Sequence, residues 1–147
     1  MKVLLQRVNH ASVTVEEKNV GQIGRGVLLL VGFGSNDSEP LLRPLAQKIV
    51  QLRIFPDQDR SFHLSLLDIS GGVLLVPQFT LYADTTKGRR PEFFGALRPD
   101  LATKLFDHFV QCFRDLKVAS VQAGIFGAHM VVSLENDGPV TLMLDAP

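Results

Sequence analysis

Cysteine is nearly absent: Cys112 is the one thiol in 147 residues. A lone cysteine excludes an internal disulfide framework and a thiolate metal cluster. Net charge is absent too, with 15 lysines and arginines against 15 acidic residues. Any polyanion must therefore be met by a local basic patch, because the chain as a whole offers no long-range attraction. The longest apolar run, Val27 to Val31, falls far short of the roughly 20 residues that a membrane-crossing helix needs. The opening Met1-Lys2-Val3-Leu4-Leu5 meets Gln6 and Arg7 too early for a secretory leader, and no small-residue cleavage site follows. These absences predict a soluble cytoplasmic domain with no membrane partner.

Several catalytic signatures are missing as well. No Gly-x-Ser-x-Gly elbow signals a serine hydrolase. Gly32-Phe33-Gly34 runs into Ser35-Asn36-Asp37 and lacks the third glycine of a dinucleotide fingerprint, so it reads as a strand-ending turn. No Gly-Lys-Ser/Thr follows a glycine-rich loop. His10, His63, His108 and His129 are nowhere spaced as metal ligands. The expectation is a site with no metal and no cofactor.

What remains is an ordinary globular composition, 46% hydrophobic and 20% charged, which excludes disorder. Neither a repeat nor a linker divides the chain, so residues 1–147 read as one domain. Val3, Leu5 and Arg7, then Ala11, Val13 and Val15, alternate with their neighbours as half-buried strands do. Glu16 to Asn19 reads as a turn, Val20 to Ile23 as a return strand, and Val27 to Val31 as a central strand buried on both faces. Ser38 is placed to cap a helix in which Leu42, Leu45, Ile49 and Leu52 share a face. A second helix starts near Pro99-Asp100, with Leu101, Leu105, Phe109, Cys112, Phe113 and Leu116 as its apolar stripe. Cys112 then reads as a small core side chain. Further strands are expected at Val73–Val76, Phe79–Ala83, Val118–Gln122, Met130–Glu135 and Val140–Leu144. Strands outnumber helices and several are sequence neighbours, which predicts an α+β domain with a mostly antiparallel sheet.

Three segments stand apart. Pro77-Gln78-Phe79-Thr80-Leu81 puts a proline in a strand pattern, which implies either a plain edge strand or a bulge that frees backbone groups. Asn136-Asp137-Gly138-Pro139-Val140-Thr141 is a turn signal. From spacing alone it reads as a hairpin loop, while a cis Gly-Pro would instead offer a rigid pair of carbonyls to an ammonium group. Lys87-Gly88-Arg89-Arg90-Pro91 is the one dense basic cluster, either a solvated loop or a phosphate contact.

The first two segments are similar to the two signature motifs of the D-aminoacyl-tRNA deacylases, Ser-Gln-Phe-Thr-Leu and Asn-x-Gly-Pro-Val-Thr. Leu5-Gln6-Arg7-Val8, Ala11-Ser12-Val13, Leu52-Arg53-Ile54-Phe55, Leu64-Ser65-Leu66-Leu67-Asp68, Lys87 to Pro91 and Gly124-Ile125-Phe126-Gly127-Ala128 with Met130 also resemble that family, in the family's order. The resemblance implies a barrel-like core, two main helices and a homodimer. It implies hydrolysis of the ester between a D-amino acid and the terminal ribose of tRNA, and of glycine mischarged on tRNA. It also implies a cis Gly138-Pro139 that reaches the partner's pocket, holds the α-ammonium and leaves no room for an L side chain. Arg7 would brace that loop. Gln78, Phe79 and Thr80 would form the catalytic segment, with backbone N–H groups polarising the ester carbonyl and the tRNA 2′-hydroxyl assisting. Thr80 is the older candidate nucleophile. Phe126 and Met130 would line the pocket of the 3′-terminal adenosine, and Lys87, Arg89 and Arg90 would meet tRNA phosphates.

Two departures bear on this. Pro77 stands where the family usually has serine, removing a hydroxyl and an N–H, and Phe62-His63 stands where Met-Asn is usual. Pro77 also resembles relatives that deacylate L-alanyl-tRNA through Pro-Gln-Ala-Thr, although Phe79 and the intact Asn136–Thr141 segment favour the D-specific branch. The remaining alternative, a non-catalytic RNA-binding module, would be expected to show a basic face and aromatic strand motifs.

Overall fold

In the computed structural model, which describes residues 1–146, one long strand organises the sheet. β1 (Lys2–Val15) pairs antiparallel with β2 (Lys18–Ile23), β3 (Gly26–Gly32) and β6 (Val131–Asp145). β3 pairs parallel with β4 (Gly72–Pro77), and β4 parallel with β5 (Ser120–Ala123). The sheet is therefore mixed, antiparallel around β1 and parallel across β3, β4 and β5. The parallel pairs follow from the two helical crossovers, α1 (Leu42–Gln51) and α2 (Pro99–Asp115). β2 returns beside β5 at Gly21, where a Cβ would stand 3.4 Å from the Ala123 carbonyl. The sheet thus curls nearly into a barrel.

The expected strands at Val3–Arg7 and Ala11–Val15 are one strand of 14 residues. Its pairing with β6 slips on both sides of Val8, and a bulge there turns the strand between two cores. Val3 and Leu5 pack with α1 and α2, whereas Val8, Ala11 and Val13 join Ile23, Leu28, Leu74 and Val76 on the other face. β3 and β4 are buried on both faces, as the Val27–Val31 run predicts.

The hairpin expected between Val131–Glu135 and Val140–Leu144 does not form: both halves belong to the single β6, paired along β1. Thr141 lies opposite Gln6 and Asn136 opposite Val8, so Asp137 to Val140 bulge out against the one residue Arg7. Long-range pairing with β1 overrides the local turn signal.

Both helices form where their periodicity lies. Ser38 is extended and makes no side-chain cap; a short 3-10 turn at Glu39–Leu41 leads into α1 instead. α2 buries Ala102, Phe106, Phe109, Val110 and Phe113. Of the expected stripe, Leu101 is 43% exposed, and Leu105, Cys112 and Leu116 only border the core. The buried face is rotated because α2 packs against α1 and the sheet together. No helix among the described residues is long and apolar enough to cross a membrane.

Candidate active site

A cavity of about 670 Å³ opens at the C-terminal ends of the parallel strands β3 and β4, the end of an α/β sheet at which ligand sites recur. Val31, Phe33, Val76 and Pro77 supply strand-end residues, and the N-terminus of α2 and the Phe126–Met130 segment close it. The lining is mostly apolar, with Gln78, Arg98 and His129 as its polar members.

Pro77 is neither on an edge strand nor at a bulge. It ends β4 between two neighbours, opposite Val31 of β3 and two residues beyond Leu75, the last β4 residue to pair with β5. The Gln78 N–H donates to the Val31 carbonyl at 2.7 Å, so the N–H that proline lacks would have faced the β5 side, past the last β4–β5 pair. The strand expected at Phe79–Ala83 is instead a 3-10 turn, Phe79–Tyr82. It seats on Gly32, where a Cβ would come within 2.8 Å of the Gln78 carbonyl. A helical turn has no carbonyl of its own for its first N–H groups, so those of Phe79 and Thr80 are donors at the cavity's edge. Thr80 is exposed, and its hydroxyl accepts from the Gln78 side-chain amide. An amide N–H cannot remove a proton, so this contact does not activate the hydroxyl as a nucleophile.

Around the turn the aromatic groups are placed by packing. Phe79 meets Phe93 edge-on with ring centroids 5.0 Å apart, and Phe126 leans on Phe106 at 6.4 Å. Met130 fits over Gly124, where a Cβ would stand 2.7 Å from its Sδ. Beneath the turn the Tyr82 hydroxyl donates to Asp37 Oδ2 at 3.3 Å. Burial, followed by the Asp37 charge, pushes the Tyr82 phenol up to about 12. Tyr82 is therefore a neutral support at physiological pH.

Arg7 is 7% exposed and holds the β6 bulge from below. Its Nε donates to the Asp137 carbonyl at 3.1 Å and meets Asp137 Oδ2 at 2.9 Å, while Nη1 donates to the Ile54 carbonyl at 2.6 Å. The Phe62 ring lies 6.0 Å from the Arg7 guanidinium and His63 pairs with Asp57 at 3.4 Å, which is where the two departures at Phe62-His63 sit. Asn136 Nδ2 donates to the Thr141 hydroxyl at 2.8 Å, and Asn136 Oδ1 accepts from the Val140 N–H at 3.0 Å. Between these ties Gly138 and Pro139 are exposed, and the peptide joining them is cis.

One chain thus brings Gln78, Phe79, Phe126 and Met130 to a common cavity. Arg7, Gly138 and Pro139 sit together but do not line it, and neither does Thr80, which follows the lining Phe79. Lys87, Arg89 and Arg90 are exposed in a loop whose ends are joined by the backbone bridge between Asp84 and Glu92. The Thr86 N–H holds the Asp84 carboxyl below its ordinary range there. Sequence reading missed Phe93, Ala96, Leu97, Arg98 and His129 in the lining. The Phe93-Phe94 pair directly after the basic cluster was the available signal. No cluster of three or more histidine, cysteine or acidic side chains placed to hold a metal ion occurs among the described residues.

Fold and cavity together define a small α+β protein whose candidate chemistry lies in backbone donors beside an apolar pocket. The model of the D-Tyr-tRNA(Tyr) deacylase family matches residues 4–145. The chain is 50% identical to the D-aminoacyl-tRNA deacylase of Thermosipho africanus, over 99% of this chain and 97% of that one. It is 53% identical to that of a Roseiflexus species, over 99% and 94%. A solved structure described as a c-Myc DNA unwinding element binding protein superposes with a TM-score of 0.92 at 36% identity, over 100% of this chain and 99% of that one. A probable eukaryotic D-amino acid tRNA deacylase shares the fold at a TM-score of 0.87 and 23% identity, over 97% of both chains. The chain belongs to the D-aminoacyl-tRNA deacylase family, a family of hydrolases.

Proposed function

We propose that this protein hydrolyses the ester linking a D-amino acid, or glycine, to the terminal ribose of tRNA, and that it does so in the cytoplasm as a homodimer. The observation that carries the reading is the 3-10 turn at Phe79–Tyr82, which leaves its first N–H groups without a carbonyl of the turn's own, next to the cavity that Phe79, Phe126 and Met130 line. In this reading the terminal adenosine enters between Phe126 and Met130. The Phe79 and Thr80 N–H groups take up charge developing on the ester oxygen. The tRNA 2′-hydroxyl assists, and Gln78 steadies the turn through Thr80. Gly138 and Pro139 of a second copy complete the pocket, hold the α-ammonium and exclude an L side chain. Lys87, Arg89 and Arg90 meet phosphates.

The second copy is supported by what the single chain leaves open. Gly138 and Pro139 project to solvent outside their own cavity, and β6 pairs on one side only over its 15 residues. Val131 and Met143 on that strand are exposed, and a long unpaired edge is a ready surface for association. The test is release of tyrosine from D-Tyr-tRNA and L-Tyr-tRNA by the purified protein. The expected preference for the D ester is about a hundredfold or more; equal rates on both would contradict the reading.

A further inference from the structure

We propose that Phe94 is a stacking platform for the base of the nucleotide preceding the terminal adenosine, on the single-stranded 3′ end of tRNA. This rests on the aminoacyl-tRNA reading of the cavity and extends it by one nucleotide. Phe94 is 89% exposed, more than any other large apolar side chain among the described residues. Its backbone is nevertheless fixed on both sides. Upstream, Asp84 and Glu92 exchange two hydrogen bonds, at 2.8 and 2.9 Å. Downstream, the Gly95 carbonyl accepts from the Ser35 N–H at 3.1 Å, and the Leu97 N–H donates to the Phe33 carbonyl at 2.9 Å. Its neighbour Phe93 turns inward onto Phe79 and lines the cavity. The segment thus gives one ring of an aromatic pair to the pocket and holds the other out beside it.

Charge identifies the occupant. Residues 84–100 carry Lys87, Arg89, Arg90 and Arg98 against Asp84, Glu92 and Asp100; Arg98 is paired with Asp100 at 3.1 Å, which leaves Lys87, Arg89 and Arg90 as the cationic cluster. Arg90 is four residues from Phe94, within about 14 Å even along a fully extended chain. An aromatic face beside a cationic cluster suits a base with its phosphate next to it, and such stacking tolerates any base. A second copy of this chain, whose net charge is zero, gives those cations no comparable partner.

The test compares two substrates and one ligand. On D-Tyr-tRNA, Phe94→Ala is expected to lower kcat/KM about tenfold. On the D-tyrosyl ester of adenosine, which lacks the preceding nucleotide, it should change nothing. Phe94→Tyr should behave as wild type and Phe94→Leu as Phe94→Ala, because stacking needs a ring and not merely an apolar side chain. Affinity for a labelled, uncharged RNA hairpin with the tRNA 3′ end should fall in parallel. That binding arm stands apart from catalysis: lost RNA affinity in a protein that cleaves neither ester would sink the deacylase reading and keep the platform. Equal loss on both substrates, full activity of Phe94→Leu, a changed oligomeric state, or unaltered RNA affinity would each overturn the proposal.

Discussion

Thr80 offers an exposed hydroxyl next to the cavity-lining Phe79, but its hydrogen bond comes from an amide and no base is joined to it. In the proposed function the reactive charge falls instead to backbone donors and to the RNA. Thr80→Ala should keep D-Tyr-tRNA hydrolysis within about tenfold of wild type in single-turnover assays; complete loss with fold and RNA affinity intact would make Thr80 the nucleophile. Gln78, Phe79, Phe126 and Met130 were legible in the sequence because they stand in ordered motifs. Phe93, Ala96 and Leu97 were not, since apolar residues in an irregular loop leave no periodic trace. Arg7 was legible only through the resemblance, because nothing local shows that a strand arginine will face a bulge 130 residues away. Cys112 only borders the core it was expected to join, and burial pushes its thiol up, away from reactivity.

At the scale of elements, the buried β3 and β4 and both helices follow from hydrophobic period, while the Phe79–Tyr82 turn and the continuous β6 do not. The turn reads as strand because Phe79, Thr80 and Tyr82 are of types that favour strands; Pro77 and the seat on Gly32 decide otherwise. β6 reads as a hairpin because its bulge carries hairpin residues, and only pairing with β1 reveals one strand. The parallel β3–β4 pair depends on a contact no pattern announces. Gly26 and Gly72 face each other in register, and a Cβ on Gly26 would collide with the Gly72 carbonyl. Gly26→Ala should therefore cost about 3 kcal/mol, the upper end of overpacking. Denaturant midpoints at constant slope measure it, and a change below about 1 kcal/mol would show that the strands separate freely.

For the whole molecule, the account rests on a site divided between two copies. Composition and period predicted the single α+β domain, but no pattern in the sequence separates its cavity from its Gly138-Pro139 bulge. The structure supplies the separation: the bulge is braced by Arg7 and exposed, and the cavity is lined without it. Gly138 has φ of +125°, and a Cβ there would stand 2.9 Å from Val140 Cγ2 and 3.0 Å from Arg7 Nη2, so Gly138→Ala damages the bulge alone. Phe126→Ala damages the cavity alone. Each variant by itself should hydrolyse D-Tyr-tRNA poorly. Mixed in equal amounts while unfolded and then refolded together, the two should recover about a quarter of wild-type activity. Half the dimers are then mixed, and each contains one site with an intact cavity and an intact bulge. No recovery on mixing, with mixed dimers demonstrated by mass spectrometry, would mean that bulge and cavity act within one chain and would contradict the account.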